Sequence, residues 1–171
     1  QFHAVKGGTG TDGGSEQWTF VAPEFFGKLK RLRDQSSKIS STTQRGYFFD
    51  GPIGAYTKDA DGNGKLEGSS NTTDKVYLFV GMRRGGRYIY ALDVSDPNAP
   101  KFMWKRGCPN LNNNTGCDTG FSELGQTWSE PKVGFLKAYS NPVLFFGAGY
   151  DPNVEDFQPC LITAMPPNTT T

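Results

Sequence analysis

Apolar and polar positions alternate along this chain in short runs broken by glycine, proline and small polar residues, the pattern of strands separated by turns. Phe2-His3-Ala4-Val5, a glycine-rich turn from Gly7 to Gly14, and Glu16-Gln17-Trp18-Thr19-Phe20-Val21 predict a hairpin. Pro23 then opens the one convincing helix, since proline suits a first helical turn. Phe25, Phe26, Leu29 and Leu32 recur there at helical spacing and predict a single apolar face. Lys28, Lys30, Arg31 and Arg33 fill the rest of that helix, favourably placed for its C-terminal dipole. They read as a solvated face in preference to a phosphate-binding patch.

After a Ser/Thr-rich linker from Gln35 to Gln44, a four-part unit follows. Tyr47 to Tyr56 predicts an innermost strand broken at Gly51-Pro52, and Val76 to Gly81 is a continuous apolar run, as expected of a strand buried on both faces. Arg87 to Val94 follows the tight Gly85-Gly86 turn, and Lys101 to Lys105 follows the turn at Ser95 to Pro100. Four consecutive antiparallel strands of this kind make one propeller blade. The pattern restarts at Thr127 to Gly134 and at Pro142 to Gly147, with insertions falling in loops. The predicted fold class is therefore all-β: a partial β-propeller of about two blades with one short helix. In this division residues 1–22 end one blade, 23–34 are the helix, 47–106 form a full blade and 124–150 start the next. Residues 151–171 turn polar and proline-rich and form a loop or tail. Blades bury their faces only against neighbours, and propellers close with about four to eight. Residues 1–155 are thus expected to be part of a larger propeller.

Composition narrows the class. The 23 aromatics (Phe 13, Tyr 7, Trp 3) and a net charge of +1 argue against a disordered chain, which is poor in aromatics and more highly charged. The balanced charge also sets up no field toward nucleic acid, and the run at Val76–Val80 is too short for membrane insertion. Among the three cysteines, Cys108 and Cys117 bracket a polar loop that cannot pack a core of its own. A disulfide there would restrain it by roughly 2.5–3 kcal/mol and would indicate an oxidising compartment. A thiol metal site is the alternative, with unsuitable spacing for zinc and no histidine nearby. Cys160 pairs outside this segment or stays free.

One constellation carries chemistry. Asp59, Asp61, Asn63 and Glu67 place side-chain oxygens at positions one, three, five and nine of a loop. Lys65 can offer its carbonyl at position seven, Gly64 stands where calcium loops turn sharply, and Leu66 occupies the usual place of an apolar anchor. Oxygen ligands at this spacing suit Ca²⁺ over zinc or copper. At position twelve Ser70 replaces the bidentate glutamate of an EF-hand, and Glu67 is the residue available to take over that task. An Asp/Gly/Asn turn in a solvated insertion is the plainer alternative. Elsewhere the signals are structural. His3 is expected to be a hydrogen-bonded core histidine, Ser129 has no partner histidine, and Gly85-Gly86 is a turn with no phosphate-cradle context.

Five segments in order resemble the C-terminal propeller of PilY-family proteins, which are associated with the tip of the type IV pilus. They are Phe2-His3-Ala4-Val5, then Trp18 to Pro23 with Lys28-Leu29-Lys30-Arg31-Leu32, then Tyr47-Phe48-Phe49-Asp50-Gly51-Pro52. The fourth is the hairpin Gly85-Gly86-Arg87 to Asp96-Pro97, and the fifth joins Leu124 to Pro131 with Phe146-Gly147-Ala148-Gly149-Tyr150. Arg83 and Arg84 depart from the pattern, standing where small residues are expected before the double glycine. The resemblance implies a non-enzymatic component of type IV pilus biogenesis and tip adhesion, regulated by calcium bound in a propeller loop. It implies minor pilins of the tip complex and a host or abiotic surface as partners, and an extracellular place at the pilus tip or outer cell surface after periplasmic transit. Quinoprotein dehydrogenases, which hold pyrroloquinoline quinone with calcium, have similar blades and are one alternative. They typically place adjacent cysteines over the cofactor, a pair this chain lacks. A glycan-binding propeller is another alternative, compatible with the pilus reading.

Overall fold

In the computed structural model, which describes residues 1–34, 45–68 and 73–151, the alternating runs become eight strands and the helix becomes one 3-10 turn followed by one α-helix. The residues group into two compact units, Gln1–Phe49 and Asp50–Thr171.

In the first unit, β1 (Phe2–Val5) pairs antiparallel with β2 (Glu16–Phe20), with Phe2 opposite Phe20 and Ala4 opposite Trp18. The Pro23–Phe25 turn leads into α1 (Phe26–Arg33). A helix of this length is unstable alone, and it is anchored by the residue just before it. Phe25 is buried and meets Phe48 and Phe49 edge-on, at ring-centroid distances of 5.0 and 5.4 Å. The apolar face expected of the helix is not buried as a whole: Phe26 and Leu32 stay exposed. Phe25 takes the buried position because proline starts the chain in a tighter turn and rotates the following residues outward.

The second unit contains a four-stranded antiparallel meander in the order β3 (Ile53–Lys58), β4 (Lys75–Gly81), β5 (Arg87–Asp93) and β6 (Lys101–Cys108). This is one blade. The register aligns Gly54, Phe79, Ala91 and Trp104 across the sheet, so these residues share a face. β5, interior to the sheet, is buried from Arg87 to Leu92. A second hairpin, β7 (Lys132–Gly134) with β8 (Val143–Phe145), covers that face. Phe79, Ile89 and Ala91 form the core, against which pack Tyr56, Tyr77 and Trp104 of the sheet and Val133, Leu144 and Phe146 of the hairpin region. Burying a side chain such as Phe79 or Ile89 stabilises the fold by about 1.5–3 kcal/mol each. Face-to-face stacking of one sheet on the start of the next is propeller architecture.

The innermost strands are shorter than the apolar runs suggest. Tyr47–Pro52 stays outside β3, because Phe48 adopts a left-handed φ of 55° and Gly51 crosses the end of β4. β3 approaches the second hairpin so closely that a Cβ on Gly54 would lie 2.0 Å from the Pro131 carbonyl oxygen. Thr127, which is buried, joins the two repeats. Its hydroxyl oxygen accepts the Met82 N–H at 2.7 Å and donates to the Tyr88 carbonyl at 3.3 Å.

Candidate functional site

The insertion between β3 and β4 is organised by its own side chains. Asp59 follows the last residue of β3 and accepts the backbone N–H groups of Gly62 and Gly64, each at 2.7 Å. Gly62 and Gly64 have φ of 73° and 80°, which glycine adopts without strain. Asp61 accepts the Asn63 N–H at 3.1 Å, and Asn63 accepts the Lys65 N–H at 2.8 Å. The Gly64 N–H is the chief reason that the Asp59 carboxyl sits below its usual range; burial opposes this and the Gly62 N–H adds to it.

Asp74, just before β4, completes the arrangement. It is buried, and its two carboxylate oxygens accept the Ala60 and Glu67 N–H groups at 3.0 and 3.1 Å. It thereby ties the loop's start to its later half. Oxygens of Asp59, Asp61 and Asp74 all lie within 4.8 Å of one another. Three carboxylates this close repel unless a cation or protons intervene, and an all-carboxylate donor set fits a hard cation.

The predicted site residues therefore separate. Asp59 and Asp61 come together. Asn63 donates its backbone N–H and its Nδ2 to Asp61 and accepts the Lys65 N–H, so it stays beside Asp61 within the turn. Glu67 offers its backbone N–H to Asp74, and its carboxylate is not one of the three clustered groups. Leu66 is exposed and anchors nothing in a core. Ser70 lies outside the described residues. Asp74 was missed because it falls beyond the twelve-residue loop frame. The available signal was an acidic residue directly preceding an apolar strand, an unusual place for a charge without a local task.

A second polar centre holds the loop after β6. Cys108 and Cys117 form a disulfide with Cα atoms 4.1 Å apart. Beneath the loop, Arg87 is buried and donates to the carbonyls of Leu124 (2.6 Å), Asn110 (3.1 Å), Asn113 (2.9 Å) and Ser122 (2.9 Å), and to Asn114 Oδ1 (2.8 Å). Asp151 is 3.8 Å away, and Cys160 lies outside the described residues. Arg87 is a structural cation that nails a polar loop to the sheet.

The remaining candidates are structural too. His3 is exposed and bonded to Glu16, and its Nδ1 lies 3.0 Å from Thr19 Oγ1; it is a surface residue of the hairpin, not a core one. Every second side chain of a two-stranded sheet faces solvent unless something covers it. Ser129 Oγ accepts the Gly147 N–H at 2.7 Å and so braces the second hairpin.

A family model for the PilY1 β-propeller domain matches residues 2–156. No curated protein and no solved structure matches the chain. Among the described residues no helix is long and apolar enough to cross a membrane.

Proposed function

Because the chain belongs to the PilY1 β-propeller family, and its role is therefore related to the type IV pilus, we propose that it is a non-enzymatic, calcium-regulated platform for assembly and adhesion at the pilus tip. The propeller supplies rigidity, and specificity resides in its inserted loops, a usual division of labour in such scaffolds. Those loops are the insertion between β3 and β4 and the disulfide-closed segment that follows β6. Minor pilins of the tip complex and a host or abiotic surface are the partners. The place of action is extracellular, after periplasmic transit, and the Cys108–Cys117 disulfide is in keeping with such an oxidising route.

The observation that carries the calcium reading is the cluster of Asp59, Asp61 and Asp74. With Asn63 and the Lys65 carbonyl they would hold Ca²⁺, leaving Glu67 and water to fill the sphere. Calcium supplies positive charge that relieves the repulsion among the carboxylates and fixes the insertion on its blade. The residues themselves pre-order the turn through the N–H groups of Gly62 and Gly64.

Calorimetric titration tests this. Calcium is expected to bind in the range of extracellular modules, roughly 10⁻⁴–10⁻³ M, and to raise the melting temperature by mass action. An Asp59→Ala/Asp61→Ala variant is expected to lose the heat. No heat at millimolar calcium, or unchanged heat in the variant, refutes the metal site. Pilus-dependent surface motility, restored by the wild-type gene and not by the variant, tests the regulatory role.

A further inference from the structure

Asn63 is followed by Gly64, and of the ten asparagines in the sequence it alone precedes a glycine. The side-chain carbonyl carbon of an asparagine, Cγ, and the backbone nitrogen of the next residue can close a five-membered ring. Both atoms are tethered, so their encounter is intramolecular and no second molecule has to be ordered. A side chain on the next residue crowds that closure, and glycine has none. Where proline follows, as at Asn141-Pro142, there is no N–H to lose. Asn63, Gly64 and Lys65 are exposed, so water reaches them.

The loop supplies a partner for each atom that changes. The Gly64 N–H, whose proton must leave as its nitrogen attacks, donates to Asp59 Oδ2 at 2.7 Å. A carboxylate at that distance is within reach to act as general base. Asn63 Oδ1, where negative charge gathers as Cγ becomes tetrahedral, accepts the Lys65 N–H at 2.8 Å. Asn63 Nδ2, the leaving nitrogen, donates to Asp61 Oδ2 at 3.0 Å, and the two bonds together fix the orientation of the amide.

We propose that Asn63-Gly64 is a self-modifying site, at which Asp59 promotes conversion of the asparagine into isoaspartate and aspartate. Gly64 N bonds to Asn63 Cγ and passes its proton to Asp59. The Cγ–Nδ2 bond then breaks, and the amide nitrogen leaves as ammonia with that proton, giving a cyclic imide. Water, the one co-reactant, opens the imide at either carbonyl. Cleavage of the new bond at Cγ gives aspartate; cleavage at the original peptide carbonyl gives isoaspartate, with the main chain rerouted through Cβ and Cγ. The modification is independent of the calcium reading. Its consequence rests on that reading: Asn63 is the neutral side-chain donor of the proposed sphere, and isoaspartate lengthens the main chain between Asp61 and Lys65 by one carbon.

Peptide mapping by mass spectrometry, on the purified protein kept for weeks at neutral pH with a chelator present, tests it. Samples are held both folded and in urea, and an isoaspartyl methyltransferase assay identifies isoaspartate in the peptide that carries residue 63. Conversion there is expected to outpace conversion at every other asparagine. In the folded protein, Asp59→Asn removes the base, keeps an amide oxygen for the turn, and is expected to slow conversion about tenfold or more. In urea, where no loop holds Asp59 against Gly64, the two proteins should convert at equal rates. A residue 63 that keeps its amide overturns the proposal, and so do equal folded-state rates with and without Asp59. Slowing of the same size in urea overturns it as well, since the effect would then belong to local sequence and not to the folded turn. Because the chelator removes calcium throughout, a loop that fails to bind calcium leaves this result unchanged.

Discussion

Replacing Arg87 by methionine keeps much of the side-chain volume and removes all five N–H donors. The cost depends on which acceptors can find water afterwards. Asn110, Asn113, Asn114 and Ser122 lie in exposed positions, so their freed oxygens rehydrate once the loop loosens. The Leu124 carbonyl belongs to a residue with 0% exposure and loses a 2.6 Å bond outright, worth about 1–3 kcal/mol as an unsatisfied buried acceptor. Asp151, 8% exposed, loses the guanidinium 3.8 Å away. Removing one partner of a buried pair costs about 3–5 kcal/mol, and that range is taken for the whole substitution because the exposed contacts recover in water. At about 2–4 °C per kcal/mol for a chain of this size, the melting temperature should fall by roughly 6–20 °C. Arg87→Lys, which retains the charge but not the planar fork, should fall in between. Hydrogen exchange locates the damage: the amides of Asp118 and Leu124, bonded to Gly107 and Phe121, should lose protection before those of β4 and β5. A methionine variant that melts within about 2 °C of wild type would refute the reasoning.

Gly54→Ala should destabilise by about 2 kcal/mol or more, since the methyl group meets the Pro131 carbonyl at 2.0 Å. Gly27→Ala, in α1 with nothing near its Cβ, should stabilise by about 0.5–1 kcal/mol; paired thermal melts check both. Arg83→Gly should raise stability by about 0.5–1 kcal/mol. It relieves a left-handed φ of 47° and a buried Nε without a partner, and gives up only a guanidinium stacked 5.2 Å from the half-exposed Trp128 ring. The Asp59 carboxyl is held below its usual range by the Gly64 and Gly62 N–H groups. Its contribution to loop order is therefore complete above the ordinary carboxylate pKa, and it disappears as pH falls through the lowered folded value. Exchange protection of the Gly62 and Gly64 amides should decline with acid accordingly, and a loop unaffected between neutral pH and strong acid would contradict this.

The strands were legible because each carries its own period and punctuation. Gly85-Gly86 marks the β4–β5 turn, and the unbroken run from Val76 to Gly81 marks a strand covered on both sides. The cysteine pair was legible from the loop it encloses, which has no apolar residue able to hold it closed apart from Leu111. What periodicity cannot supply is the partner. Phe26 and Leu32 fit a helical stripe, yet solvent meets them. Arg87 looks like an ordinary strand-edge cation, but its acceptors are carbonyls spread as far as Leu124, 37 residues away. The candidate site divides in the same way. Asp59 and Asp61 follow from local spacing, whereas Asp74 comes to them through the return of the chain into β4. The left-handed Phe48 and Arg83 have no sequence signature, since neither is a residue type that seeks positive φ.

Thr127 makes the repeat in the sequence and the unit of folding two different things. The amide of Met82 finds its acceptor 45 residues downstream, beyond the end of its own blade. On a ribosome, the β3–β6 blade emerges whole yet waits for the opening of its successor before that amide and the Tyr88 carbonyl are satisfied. A protease nick or an engineered cut between the repeats would leave both groups stranded on one piece and the threonine on the other. Blades exchanged between relatives must therefore be spliced after this threonine, so that the borrowed segment brings its own clasp.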